Sequence, residues 1–206
     1  MRDSLVFHTD LLSGHGHRVQ LLLALLGLPA RIVEVDLAAG QQRQAPFLAL
    51  NAFGQVPVLE DGEVVVADSN AILVYLAHRY GPQWLPADAV QAAQVQRWLS
   101  VAAGALACGP ARARLITLVD APHDPAAAIA QSHALLAVMD AELAGRDYLA
   151  GPRRSLADVA CYAYVAHAPE GNVALDAYPH VRAWLARIEA WPGFVPMRRS
   201  AVGLRA

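Results

Sequence analysis

A proline at the head of a short apolar strand sets the strongest constraint on this chain. In Asn51-Ala52-Phe53-Gly54-Gln55-Val56-Pro57-Val58-Leu59, Pro57 has no amide hydrogen to give a sheet ladder, so it belongs where a strand begins. Asp61-Gly62 reads as a hairpin turn that pairs Val64-Val65-Val66 antiparallel with Val56 to Leu59. Asp68 or Ser69 then caps a helix carrying Ile72, Leu73, Leu76 and Ala77. A cis Val56-Pro57 bond turns the Val56 amide and carbonyl outward, where they can hold an extended peptide by strand-like hydrogen bonds. The free amides and hydroxyl at Asp68-Ser69 suit a carboxylate. One extended ligand can span both.

Upstream, Leu5 to His8 reads as a strand and Arg18 to Leu26 as a helix with Val19, Leu22, Leu23 and Leu26 on one face, stopped by Gly27-Leu28-Pro29. Ile32 to Val35 is a second strand and Ala45 to Leu50 a short helix. The order β-α-β-α-β-β-α, with parallel first strands and a hairpin, predicts an α/β N-terminal domain of thioredoxin-like layout over residues 1-81. Gly81-Pro82 to Pro86 has linker composition, and residues 88-206 read as an all-α helical domain. Its helical segments are Ala89 to Ala107, broken near Gly109-Pro110 and resumed through Leu118, then Ala126 to Leu143, Ser155 to Ala166 and Tyr178 to Trp191.

The formal net charge of -2 offers no electrostatic footprint for nucleic acid. All 16 basic residues are Arg, a mark of a GC-rich bacterial coding sequence. Met1 to Ser4 run into Leu5-Val6-Phe7 without the apolar core of a signal peptide, and Leu21 to Leu26 is too short to span a bilayer. A soluble, cytoplasmic protein without membrane partners is expected. Cys108 and Cys161 sit apart within helical patterns and read as core residues. His8, His15 and His17 lack the carboxylate or thiol partners of a metal site, so no metal is expected.

With these elements placed, the chain resembles the glutathione S-transferase family over nearly its whole length. The resemblance is carried by Asn51 to Leu59, by Asp68-Ser69, by Ser13-Gly14-His15-Gly16-His17-Arg18-Val19 and by Ser155-Leu156-Ala157-Asp158. It implies glutathione as co-substrate, a small electrophilic or hydrophobic acceptor, and a homodimer. Ser155 and Asp158 match the family's structural capping box, in which two side chains satisfy helix-end donors reciprocally. Arg154 stands where the accompanying hydrophobic staple wants an apolar residue.

A free thiol of pKa about 8.5 is a few per cent thiolate at neutral pH, and the thiolate is the nucleophile. A hydrogen bond to a charged acceptor contributes about 1.5–3 kcal/mol, enough to lower a thiol pKa by about one to two units. By resemblance to serine-type and threonine-type transferases, Ser13 ahead of Arg18 is the catalytic position, with a plain N-cap or loop Ser as the alternative. His15 stands where related bacterial members often carry Asn near the sulfur; it is either a donor to the thiolate or an exposed loop residue. Neither Cys nor Tyr occurs from Leu5 to Arg18, which sets the chain apart from the cysteine- and tyrosine-type classes.

The same resemblance assigns the glycyl end of glutathione to Gln55 and Gln42, the backbone grip to Val56 and Pro57, the γ-glutamyl carboxylate to Ser69 and its amino group to Asp68. Plain polar loops and a plain helix cap are the alternatives. Arg112, Arg114 and Leu115 are candidates to line an electrophile pocket between the first-domain loops and the long helices, with a solvated helix face as the alternative. The leading function is transfer of the glutathione thiolate to a small electrophile. A glutathione-dependent disulfide reductase without an enzyme thiol and a non-catalytic glutathione-binding relative are the competing readings.

Overall fold

The computed structural model describes residues 5–206. Met1 to Ser4, on which the expectation of no leader partly rested, lie outside the described residues. The chain forms two compact units, one running up to Pro82 and taking in Pro192–Arg198, the other comprising Gln83–Trp191 and Arg199–Ala206. Among the described residues, no helix is long and apolar enough to cross a membrane.

In the first unit the order is β1 (Leu5–Thr9), α1 (Gly14–Leu25), β2 (Ala30–Glu34), α2 (Ala45–Leu50), β3 (Val58–Asp61), β4 (Val64–Ala67) and α3 (Ser69–Tyr80). The sheet runs β2-β1-β3-β4, with β1 parallel to β2 and both other pairings antiparallel. This is the thioredoxin-like arrangement that the alternation of strand and helix patterns predicts. Side chains along a strand alternate faces. Thus Val58 joins Val35 and Phe47 of α2 in one apolar cluster, while Phe7 and its register partner Leu59, both fully buried, face the opposite side. There α1 and α3 supply the buried Val19, Leu22, Ile72, Leu73 and Leu76.

Strand direction brings the important loops together. Thr9 is opposite Glu34, His8 is opposite Val58, and Val58 is opposite Ala67. The chain therefore leaves β1, β2 and β4, and enters β3, at one end of the sheet. The turns before α1, around Gln42, at Val56-Pro57 and at Asp68-Ser69 all open there.

Several boundaries differ from the sequence reading. Helix α1 starts at Gly14, not Arg18, because Ser13 caps it despite two glycines in its first turn. Gly16 is required there: a Cβ would lie 2.0 Å from Thr9 Oγ1. Strand β3 starts at Val58, after the cis Val56-Pro57 peptide, since Pro57 has no N–H for the ladder. Pro192–Arg198 belongs to the first unit, not to the helical one in which the sequence reading placed it. His17 Nε2 meets Val195 O at 2.9 Å.

The second unit contains α4 (Ala89–Ala103), α5 (Arg112–Val119), α6 (Pro125–Leu143), α7 (Leu156–Ala166) and α8 (Pro179–Glu189). The expected break between α4 and α5 is a π-helical turn, Ala107–Ala111, with Pro110 inside it, the wider winding that accommodates a residue unable to donate. Every residue of α7 is buried, as befits a helix that is apolar all round. Ser155 and Asp158 form the predicted capping box, and Asp158 Oδ1 also accepts Leu149 N and Trp184 Nε1, each at 2.9 Å. At the position of the missing apolar staple, the Arg154 guanidinium lies 5.0 Å from the Trp84 ring centroid and 5.5 Å from that of Trp191. Cation–π contacts to these two rings, which pack edge to face on each other at 5.7 Å, take the staple's place.

Candidate active site

Asp10 builds the turn before α1. Its carboxylate accepts Leu12 N at 2.7 Å and its carbonyl accepts Ser13 N at 3.0 Å. Ser13 is the N-cap, its Oγ accepting Gly16 N at 3.1 Å. The plain-cap reading of Ser13 therefore describes its fold role, and it is compatible with chemistry. A hydroxyl that spends a lone pair on the cap retains its proton as a donor.

His15 lies in the first turn of α1, half-buried, and not in an exposed loop. Arg18 Nη1 is 3.0 Å from His15 Nδ1 and 3.1 Å from Ser69 Oγ, with Asn70 Oδ1 at 3.4 Å. Ser69 Oγ is also 3.4 Å from His15 Nδ1. Burial, reinforced by the Arg18 charge, lowers the His15 pKa to about 3, so the ring is neutral at physiological pH. Arg18 is 1% exposed and Ser69 3%. These four side chains tie the start of α1 to the start of α3. The sequence reading used Arg18 only as a spacing marker and missed Asn70; an Arg beside Val19 on the apolar face of α1 was the available signal for the former.

Asp68 caps α3, accepting Asn70 N at 2.9 Å and Ala71 N at 3.0 Å through Oδ1. With those donors taken, the helix end offers an incoming carboxylate the Ser69 N–H and hydroxyl. Asp68 has φ 76°, a left-handed conformation uncommon for a residue with a Cβ and concentrated at binding sites.

Asn51 shapes the turn before β3. Its Nδ2 donates to Gln55 O at 2.8 Å and its Oδ1 accepts Phe53 N at 3.1 Å. Gly54 has φ 59°, and a Cβ there would lie 2.9 Å from Gln42 O, so the Gln42 and Gln55 segments pass in close contact. Gln55 is exposed, Val56 half-buried and Pro57 buried. The Gln42 amide donates weakly to Leu37 O at 3.4 Å, and its buried Oε1 meets no hydrogen-bond partner among the described residues.

In the second unit the three residues named for an electrophile part company. Leu115 is 40% exposed and Arg112 is half-buried with Nη2 3.6 Å from Cys108 Sγ. Arg114 departs from the expectation: it is 1% exposed and its Nε meets Glu170 Oε2 at 2.6 Å. A buried guanidinium so engaged is a structural group. Glu170 also accepts from His167, the Ser200 amide and Arg205, a cluster the sequence reading missed. Cys161 is buried, whereas Cys108 is only partly so, and neither is in a disulfide. A cleft of about 530 Å³ in this unit is lined by Trp84, Pro86, Tyr148, Pro152 and Arg153 among others; it contains none of the residues named for glutathione.

A thioredoxin-like sheet with two serine-bearing helix starts and a cis-proline turn at one end, followed by an all-helical unit, defines the glutathione transferase class. Residues 10–78 match the family "Glutathione S-transferase, N-terminal domain" and residues 115–192 match "Glutathione S-transferase, C-terminal domain". The chain is 38% identical to glutathione S-transferase 3 of Zea mays over 190 residues, covering 86% of this chain and 85% of that one. Its fold is similar to the crystal structure of a glutathione S-transferase from Pseudomonas fluorescens, with TM-score 0.90, 33% identity, and 95% and 99% of the two chains covered. It is also similar to the theta class glutathione S-transferase of Xanthomonas axonopodis pv. citri with glutathione bound, with TM-score 0.84, 31% identity, and 94% and 95% covered. The chain belongs to the glutathione S-transferase family and is a glutathione transferase.

Proposed function

We propose that this enzyme conjugates the glutathione thiolate to a small electrophile, with Ser13 as the hydroxyl that stabilises the thiolate. The carrying observation is the Ser13 cap: Oγ accepts Gly16 N at 3.1 Å, which aims the remaining O–H away from the helix it starts. In this reading His15 is a second donor to sulfur and Ser69 binds the γ-glutamyl carboxylate. Asp68 lies toward the amino group in a homodimer, Val56 holds the cysteinyl backbone after which Pro57 turns the chain, and Gln42 and Gln55 meet the glycyl carboxylate. Leu115 and Arg112 are the acceptor-side candidates. The glutathione-bound relative supports the assignment of the ligand. No metal enters the scheme.

The chemistry asked of the protein is modest. Lowering the bound thiol from about 8.5 by about one to two pKa units raises the thiolate fraction at neutral pH by about eight- to twenty-five-fold, within reach of one charge-assisted hydrogen bond. A paired assay tests the reading: conjugation to a nitroaryl halide beside glutathione-dependent reduction of a small disulfide. Conjugation is the expected activity. Reduction alone would favour a disulfide reductase, and neither activity with no glutathione binding would leave a non-catalytic relative. Sedimentation equilibrium should give twice the 22.0 kDa chain mass.

A further inference from the structure

We propose that Arg18 is a positioning residue that makes donors of both His15 and Ser69, so that one buried guanidinium orients the group facing a thiolate and the group facing a carboxylate. This rests on the glutathione reading of the site. A guanidinium only donates, whereas an imidazole and a hydroxyl can each donate or accept. Arg18 Nη1 stands 3.0 Å from His15 Nδ1 and 3.1 Å from Ser69 Oγ. Nδ1 must therefore present its lone pair, and the single proton of the neutral ring lies on Nε2. Ser69 Oγ likewise spends a lone pair on Arg18 and turns its proton elsewhere. The nearby His15 Nδ1, at 3.4 Å, is a poor acceptor for that proton compared with an incoming carboxylate.

The consequence is a coupling between two subsites. Loss of Arg18 frees Ser69 to rotate and lets the His15 proton move to Nδ1, so one substitution damages binding and turnover together. Lysine would keep the charge, but its rotatable ammonium on a flexible stem would not fix donor directions as the planar guanidinium fixes the two hydrogens of Nη1 on two acceptors.

The first test needs no variant: nitrogen-15 shifts of the His15 ring in the unliganded protein at neutral pH. An unprotonated Nδ1 and a protonated Nε2 are expected; a protonated Nδ1 overturns the inference. Second, Arg18→Met should weaken glutathione by about ten- to a hundredfold, the worth of one charge-assisted bond, and also lower kcat. Ser69→Ala placed on top of it should cost little more affinity, because the two act as one unit. Full additivity of the two substitutions, or an Arg18→Met ring with unchanged tautomer, overturns the inference. If Arg18→Met fails to fold, Arg18→Lys decides: tighter binding than Ser69→Ala combined with wild-type kcat counts against it. Wild-type protein that does not bind glutathione sinks the functional reading alone, and the ring nitrogens still decide this one.

Discussion

Ser13 Oγ accepts the Gly16 N–H at 3.1 Å, so the hydroxyl proposed to act on sulfur also starts the helix behind it. Ser13→Ala should therefore cost about 0.5–2 kcal/mol of stability through the lost cap. It should also lower conjugation turnover by about eight- to twenty-five-fold at neutral pH, with glutathione affinity little changed, if thiolate supply limits the rate. Ser13→Asp separates the roles, because a carboxylate caps but donates nothing. It should keep stability and lose turnover, and Ser13→Thr should keep both. Thermal melts beside steady-state kinetics across pH make the comparison; full activity in the Asp variant would reduce Ser13 to a cap.

His15 is held near pKa 3, against 6.5 for an ordinary histidine, by burial and by Arg18. Between those values the unfolded chain takes up a proton that the native protein refuses, so stability rises with pH across the window and is lost as pH falls through it. Above 6.5 the residue has no such effect. His15→Gln retains an acceptor for Arg18 and a donor on its amide nitrogen, but does not titrate. Urea midpoints should show the variant gaining on wild type between about pH 7.5 and about pH 4.5, the acid limb of this linkage. In the same range, wild-type rates should show no inflection from this ring. A parallel fall of both proteins would indicate that the acid limb comes from other groups.

Ser69→Ala removes the hydroxyl at the start of α3 and an acceptor of the buried Arg18. Glutathione affinity should fall by about ten- to a hundredfold, and stability by about 1 kcal/mol. Calorimetry reads the first and denaturant titration the second. Unchanged affinity would make Ser69 a structural acceptor for Arg18 and nothing more.

Most of the first unit was legible because its signals are local. The Val56-Pro57 peptide is cis, Asp61-Gly62 does turn the hairpin between β3 and β4, and Ser155 with Asp158 forms the capping box at the position its spacing implied. What escaped the sequence depends on partners distant along the chain. The helical pattern of α1 shows only from Arg18 because Gly14 and Gly16 lower helix propensity, whereas Gly16 lets α1 pass Thr9. Arg114 looked like a surface residue because its neutralising partner, Glu170, comes from the turn after α7. Nothing in the local pattern of Pro192–Arg198 says that Val195 will meet His17.

Arg114 and Glu170 supply the sharpest separation between a structural and a substrate-binding arginine. Both side chains are essentially buried, 2.6 Å apart. Burial pushes the Glu170 carboxyl up, but bonds from Arg114, the Ser200 amide and His167 hold it, on balance, below the ordinary range. Its contribution is therefore present above the normal glutamate pKa and is lost as pH falls through the lower native value. Glu170→Gln should destabilise by about 3–5 kcal/mol, because it strands a buried cation. Arg114→Met should cost less, since His167, the Ser200 amide and Arg205 still serve the carboxylate. In the double variant Glu170→Gln/Arg114→Met, part of the Glu170→Gln loss should be recovered, as no buried cation is left without its neutralising carboxylate. Denaturant unfolding of the three variants gives the coupling. Kinetics on the folded Arg114→Met protein should show an unaltered KM for the electrophile; a raised KM without loss of stability would return Arg114 to the acceptor site.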